Sequence, residues 1–476
     1  MTAAEYYKII HTDFPFVPTN EQDRALEELS SFVIDKDKDR LFLLKGYAGT
    51  GKTTIISAIV KNIWKAKMSC VLLAPTGRAA KVISSYSNKT ASTIHREIYY
   101  PKAQGKGGNV EFTLKQNKHR NSLFIVDESS MIPDVASENK MFGGNGSLLD
   151  DLIEYVYSGV GCILLLIGDT AQLPPVKLDV SPPALEPTLL EQRYLKEVTC
   201  IELDEVKRQE KDSGILLNAT RIRNHIEELD NDFKFDVDPF IDINRLIDGH
   251  EIMEAIQTAY DTQGHEETAI IVRSNKRANL YNQQIRSRIL FRESELASGD
   301  YLMVVKNNYH WLKPSSAAGF IANGDIIEIL EIYNFKNIYG FRFAEVKVRM
   351  VDYPDEKPFE TVLLLDTLES ESPSLTYDDS NKLYQEVRMD YLKLPKWKQY
   401  KEIKENPFFN ALQVKFSYAI TCHKSQGGQW ENVIVEQPYL PDGPSKDYLR
   451  WLYTAVTRAK TNLYLIGFNK DYFIES

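Results

Sequence analysis

The chain has 476 residues and a formal charge of −10, with 43% apolar and 26% charged residues. One hydrophobic core rarely grows past about 250–300 residues, so more than one domain is expected. Four scattered cysteines with no Cys-x-x-Cys pair exclude a disulfide scaffold and a sequence-evident zinc site, and they suit a reducing compartment. The longest apolar run, Cys162–Ile167, is too short to span a bilayer, and no signal-peptide pattern opens the chain. A soluble intracellular protein with no membrane partner is expected.

In chain order, short apolar runs at Leu41–Leu44, Cys70–Ala74, Leu123–Val126, Cys162–Ile167 and Thr199–Leu203 read as buried strands. Helical stretches such as Thr53–Lys65 and Gly77–Ser85 separate them, and that alternation predicts a parallel α/β sheet. The pattern resumes at Thr268–Val272, Val414–Ile420, Asn432–Glu436 and Leu463–Phe468. Between these lie Tyr301–Val305, Asp325–Tyr333, Phe341–Val351 and Phe359–Leu365, which alternate apolar and polar residues as antiparallel strands do. They predict a small β-domain inserted into a second α/β unit. Ser370–Ser380 reads as a solvated loop, and Tyr384–Tyr400 as helix interrupted at Pro395. A further insertion, Ile98–Asn121, holds Gly105, Gly107 and Gly108 among basic residues. The division expected is a first lobe at 1–97 and 122–205, an insertion at 98–121, a second lobe at 206–300 and 411–476, and an inserted β-domain with accessory segment at 301–410.

The run from Gly46 to Thr53 follows a strand and opens a helix, which is the P-loop pattern in its required context. Gly46, Gly49, Thr50 and Gly51 let backbone N–H groups face phosphates, aided by the helix N-terminus. Lys52 is expected to reach the β/γ-phosphates, and the Thr53 hydroxyl to bind Mg²⁺ beside Thr54. Asp127 and Glu128 end an apolar strand, where ligands of open sheets bind. Asp127 is placed to hold Mg²⁺ through water, and Glu128 to orient or deprotonate the attacking water. Gln172 follows another strand beside the rigid pair Pro174–Pro175; it reads equally as a γ-phosphate sensor or as part of a turn. These residues imply a nucleoside triphosphate and Mg²⁺ but leave open what hydrolysis drives; the resemblance below makes the nucleotide ATP.

Nine blocks in order resemble the superfamily 1 DNA helicases of the 5′→3′ RecD/Dda/Pif-like branch. They are Thr19–Gln22, Gly46–Thr54, Ala74–Lys81, Ser92–His95, Asp127–Ser130, Gly168–Val176, Val206–Gln209, Ala419–Gly428 and Leu452–Lys460. The resemblance implies two RecA-like P-loop lobes, a small barrel in the second and a wedge-like insertion in the first, for which Ile98–Asn121 is the candidate. It implies that Gln22 reads the adenine edge, that Arg208 and Arg458 are arginine fingers from the second lobe, and that Gln426 and Gly427 couple nucleotide to DNA. Pro75, Thr76, Arg78, Ser92 and His95 resemble the first lobe's strand contacts; Thr421, His423 and Lys424 resemble the second lobe's. Ser274, Asn275, Asn307 and Asn308 are further candidates. Such groups bind phosphates or stack on bases.

The expected activity is an ATP-dependent DNA helicase, monomeric and cytoplasmic or nucleoid-associated, acting on single-stranded DNA and on forked or tailed duplexes. The same motor serves a translocase that does not unwind, and the residues alone do not exclude RNA or a binding module with a vestigial nucleotide site. An acidic chain can bind nucleic acid when its charge is local. Lys61–Arg120 has twelve Lys/Arg against two acids, and Arg273–Arg288 has five against none. Tyr353–Ser380 carries eight acids and one Lys, and Lys393–Lys404 five Lys and one Glu. The first two runs are expected to line a shared groove.

Overall fold

Runs such as Leu41–Leu44 and Ile163–Ile167 are buried on both faces, so each strand needs cover above and below. Helical crossovers supply that cover and force neighbouring strands parallel. A computed structural model of the chain describes all residues except 36, 38, 103–110, 135–146, 176–182, 206–212, 229, 231, 314, 315, 317, 475 and 476. Its first lobe contains β1 (Arg40–Gly46), β2 (Ser69–Ala74), β3 (Ala91–Thr93), β4 (Tyr99–Lys102), β5 (Glu111–Leu114), β6 (Ser122–Val126), β7 (Ile163–Gly168) and β8 (Glu197–Leu203). Six of them form a parallel sheet in the order β3-β2-β6-β7-β1-β8. The strands β6, β7 and β1 are adjacent, so the loops that follow them share one edge. β4 and β5 form an antiparallel hairpin, Tyr99 facing Leu114. This hairpin is the expected insertion; its tip, with Gly105, Gly107 and Gly108, lies outside the described residues.

The second lobe has β9 (Ile243–Leu246) and β10 (Thr268–Val272), then β11 (Tyr301–Val304), β12 (Ile326–Ile338), β13 (Phe341–Met350), β14 (Phe359–Leu364), β15 (Leu412–Phe416), β16 (Ala419–Thr421), β17 (Trp430–Glu436) and β18 (Ala459–Ile466). A parallel sheet runs β16-β10-β17-β18-β9, and β11 to β15 close into a barrel. Helix Lys446–Val456 is buried at every residue from Tyr448 to Val456. Buried in this way despite Arg450 and Thr454, it packs on helix Gly214–Glu228.

Two expectations need correction. Val414–Ile420 is not one strand: it divides at Ser417–Tyr418, with β15 in the barrel and β16 in the lobe sheet. The boundary expected at 411 therefore falls near 417. Both pieces are apolar, so the sequence carries no mark of the change of sheet. The mark is tertiary. Tyr418 donates its hydroxyl to Asp300 (3.1 Å), while its carbonyl accepts from Ile270 N–H of the lobe sheet (3.2 Å). The second correction concerns Ser370–Ser380, whose end is helical. Helix Tyr377–Met389 starts there, capped by the Thr376 hydroxyl, and Pro395 then opens helix Lys396–Glu405. Leu383, Val387 and Ile403 from this pair pack on Phe341, Phe343, Val362 and Leu364 of the barrel.

Asp300 is fully buried where the chain enters the barrel. It accepts from Arg286 Nε (3.1 Å) and Nη2 (2.9 Å), Arg292 Nη1 (2.7 Å), Tyr418 Oη and the Ala297 N–H (2.7 Å). One carboxylate thus pins the strands that enter and leave the barrel. Removing one partner of a buried ion pair strands the others, at about 3–5 kcal/mol. Asp300→Ala is expected to lose that much stability in urea denaturation; a loss below about 1 kcal/mol, the range of an exposed pair, contradicts the assignment.

Candidate nucleotide site and nucleic-acid interface

The P-loop joins β1 to helix Lys52–Asn62 at the C-terminal edge of the first sheet. Gly49 and Gly51 take φ of 81° and 89°, a region open to glycine. A Cβ on Gly51 would stand 2.5 Å from Gln22 Nε2. Lys52 Nζ donates to the carbonyls of Gly46 (2.5 Å) and Tyr47 (2.6 Å), folding the ammonium over the loop. Thr50 is buried and its hydroxyl donates to Tyr47 O (2.9 Å). Thr53 is exposed and Thr54 half-buried on the helix's first turn. Gln22 is 3% exposed and already engaged. Its Oε1 accepts from Thr19 N–H (3.1 Å) as a helix cap, and its Nε2 donates to Thr50 O (2.9 Å). Its amide supports the P-loop, so reading an adenine edge requires it to exchange these bonds.

Asp127 and Glu128 follow β6 beside the P-loop. Asp127 Oδ1 accepts from Glu128 N–H (2.9 Å) and Oδ2 from the Tyr86 hydroxyl (2.7 Å), which leaves each oxygen a lone pair. Glu128 sits at φ 53°, costly for a residue with a side chain and a mark of a functional turn. After β7, Asp169 accepts from Ala171 N–H (2.9 Å) and the Tyr453 hydroxyl (2.7 Å). Gln172 is 5% exposed, and its Oε1 is buried without a hydrogen-bond partner. An unpaired buried acceptor of this kind costs about 1–3 kcal/mol and fits a polar ligand. The donors of the P-loop, the carboxylate pair and this acceptor suit a nucleotide phosphate with its divalent cation.

The second lobe reaches this edge through Arg458. Its side chain is 4% exposed, and Nη1 lies 3.9 Å from Glu128 Oε1. Its other contacts hold it extended: Nε to Thr454 O (3.0 Å), Nη1 to Gly428 O (3.2 Å) and Nη2 to Thr457 Oγ1 (3.2 Å). Arg208 and the rest of its block lie outside the described residues. Gln426 Nε2 donates to Leu173 O (2.8 Å), tying the second lobe to the turn that carries Gln172. Gly427 has φ 72°, and a Cβ there would meet Ala79 Cβ at 2.7 Å.

The nucleic-acid candidates divide. Thr76 caps helix Gly77–Ser87 next to Pro75, and it faces Gly427 across the lobes. Arg78 stacks its guanidinium on Trp430 of the second lobe, 4.1 Å from the ring centroid, so this candidate lies where the lobes meet. Thr421 and His423 flank buried Cys422, and Lys424 Nζ is buried without a hydrogen-bond partner. Burial, then the nearby Lys415 charge, push the Lys424 ammonium down to about 8. Ser92 ends up on the edge strand β3, half-buried. His95 packs on Tyr99 with centroids 5.7 Å apart, and burial lowers its imidazole to about 4. It stays neutral at physiological pH.

Four further candidates make local hydrogen bonds. Ser274 caps helix Asn275–Gln284 by accepting Arg277 N–H (3.2 Å). Asn275 Nδ2 donates to Glu371 O (3.0 Å). Asn307 bonds the Tyr309 hydroxyl (3.1 Å) and Asn323 N–H (2.7 Å); Asn308 donates to Asn410 O (2.8 Å) and accepts His310 N–H (3.0 Å). The second basic run is also partly internal. Arg286 is held by Asp300, and Arg277 by Glu436, to which its Nε donates at 3.0 Å. The residues the sequence reading passed over are Tyr453 and Thr454, inside a quoted block, and Lys415, whose Nζ donates to Thr367 O (3.2 Å) under the 365–371 turn.

Burial raises the Glu128 carboxyl above its ordinary range, with Arg458 opposing and Asp127 adding to the rise. The folded chain therefore keeps this proton to higher pH than the unfolded chain. Its contribution to stability is present at acid pH and is lost as pH rises through the raised value. Glu128→Gln removes that loss. The variant's melting temperature relative to the wild type is expected to climb from acid pH toward neutrality, measured by thermal denaturation. A difference that does not change with pH refutes the raised carboxyl.

Residues 31–178 match the model of an AAA domain, and residues 416–466 that of a UvrD-like helicase C-terminal domain. An uncharacterised protein of Methanocaldococcus jannaschii is 24% identical over 94% of this chain and 38% of its own length. The ATP-dependent RecD2 DNA helicase of Deinococcus radiodurans is 34% identical over 34% of this chain and 20% of its own. The ATP-dependent DNA helicase Dda of Enterobacteria phage T4 is 23% identical over 90% of this chain and 95% of its own. The chain thus spans less than half the length of the first two. Among the described residues no helix is long and apolar enough to cross a membrane. In its motif order, two parallel lobes, inserted barrel and these matches, the chain is similar to the superfamily 1 helicases of the RecD/Dda/Pif1-like branch.

Proposed function

We propose that the chain is an ATP-dependent DNA helicase that moves 5′→3′ on single-stranded DNA and separates duplex strands. The observation that carries this reading is the meeting of P-loop, Glu128 and second-lobe Arg458 at one edge, since a site split between lobes can turn hydrolysis into lobe motion. The likeness to Dda supports DNA as the track, and the family branch supports the polarity.

ATP binds between the lobes. Lys52 exchanges its loop carbonyls for the β/γ-phosphates, and the N–H groups of Gly49 to Thr54 cradle them. Thr53, and Asp127 through water, are the residues that would hold Mg²⁺, which would supply neutralisation of phosphate charge. Glu128 orients the attacking water and takes its proton, a role that suits a carboxyl raised toward working pH. Arg458, with Arg208 as second finger, offers a planar fork to the charge that develops on the phosphoryl oxygens. Gln172 reads the γ-phosphate side through its amide, Nε2 donating to a phosphate oxygen and Oε1 accepting from the attacking water, and Gln426 with Gly427 carries its state toward the DNA.

The strand lies across Pro75, Thr76, Arg78, Ser92 and His95 of the first lobe and Thr421, His423 and Lys424 of the second. Lys424 is the strongest of these, because a buried unpartnered ammonium is satisfied by a phosphate. Each lobe alternates its grip with nucleotide state, as differential binding requires. The β4–β5 hairpin serves as wedge against about 1.4 kcal/mol of stacking per base pair.

Lys52→Ala is expected to abolish DNA-stimulated ATP hydrolysis while single-stranded DNA binding persists. Wild-type protein should open a 5′-tailed duplex and leave a 3′-tailed one intact, and matched RNA should stimulate less. Strand separation by the Lys52 variant would sink the ATP-driven mechanism; preference for the 3′ tail would overturn the polarity.

A further inference from the structure

We propose that Tyr453 is a positioning residue that transmits lobe closure to both halves of the nucleotide site. The inference rests on the ATP-driven reading above and goes beyond its list of phosphate-facing groups. Tyr453 is 1% exposed on helix Lys446–Val456 of the second lobe, yet among the described residues its hydroxyl bonds to the first. It accepts the N–H of Ala48, in the outer arm of the P-loop (2.9 Å). It donates to Asp169 Oδ2, at the root of the turn that bears Gln172 (2.7 Å). Hydroxyl-to-carboxylate bonds are charge-assisted and short, and so fix geometry well.

The next residue doubles the grip. Thr454 Oγ1 accepts the N–H of Leu173 (2.9 Å), whose carbonyl accepts from Gln426 (2.8 Å). The Gln172 turn is therefore held at Asp169 from one side and at Leu173 from the other, by adjacent residues of one buried helix. Arg458 follows just beyond the end of that helix and donates its Nε back to Thr454 O (3.0 Å). A helix buried at nine successive residues moves as a rigid piece. Displacing it shifts the P-loop arm, the Gln172 turn and the finger together. The hydroxyl does not face the reacting atoms; it sets where groups that do so stand.

Tyr453→Phe keeps the ring and removes the two bonds. Hydrogen bonds to charged groups carry about 1.5–3 kcal/mol, so DNA-stimulated kcat is expected to fall roughly tenfold to a hundredfold. KM for ATP and the Kd for single-stranded DNA should stay within about threefold of the wild type, because every phosphate-facing group and the DNA track keep their side chains. A kcat unchanged within about twofold, whatever the melting temperature does, marks a packing bond alone and overturns the proposal. So does a raised KM with kcat retained. Should the variant fail to fold, Thr454→Val removes the neighbouring acceptor and faces the same kcat criterion. Wild-type protein that hydrolyses no ATP with DNA present refutes the helicase reading itself, and this proposal falls with it.

Discussion

A guanidinium and a carboxylate from different lobes stand 3.9 Å apart, each largely removed from water. Neither group is useful alone. Glu128 is held in a left-handed turn by the first sheet, and Arg458 is held extended by carbonyls of the second lobe. Their approach depends on a helix buried from Tyr448 to Val456 and packed against its neighbours in the second lobe. That burial converts a local sequence choice into a fixed relation between lobes. The barrel is a secondary consequence: it is threaded into the second lobe and fastened at Asp300, so it follows the lobe that carries it.

Most of the fold is legible in the sequence because its strands are apolar throughout and its helices intervene at regular intervals. Each strand of the first parallel sheet except the short edge strand β3 stands within two residues of where hydrophobicity places it. The misreading at Val414–Ile420 has a physical cause. Two strands of different sheets follow one another with only Ser417 and Tyr418 between them, and both are buried. Periodicity reports burial and not the sheet in which burial occurs. The start of the helix at Tyr377 was hidden for another reason. Its first turn is acidic, which suits a helix N-terminus and a solvated loop alike.

The placement of the candidate site residues was legible to the degree that a backbone pattern carries it. The P-loop glycines and the acids after β6 lie where strand ends must put them. Side chains whose role depends on a distant partner were less so. Gln22 has the amide expected of a base reader, but Thr19 and Thr50 already occupy it. Asn307 and Asn308 shape a barrel loop. Conversely, nothing in the local sequence of Tyr453 marks it out, because its partners Ala48 and Asp169 are remote in the chain.

The charge of −10 is sharpened by the same test of partners. A run of five cations from Arg273 to Arg288 suggests a track, yet Arg286 neutralises a buried Asp300 and Arg277 holds Glu436. In the first basic run, Lys61 and Lys65 reach Asp13 (3.6 and 3.9 Å) and Lys81 reaches Asp352 (3.3 Å). Density of charge along the chain therefore overstates the charge offered to a ligand. The better guide is a buried cation without a hydrogen-bond partner, and Lys424 is one. A strand of phosphates would be attracted there by few charges in a low-dielectric setting, where each counts for more than several on an open face.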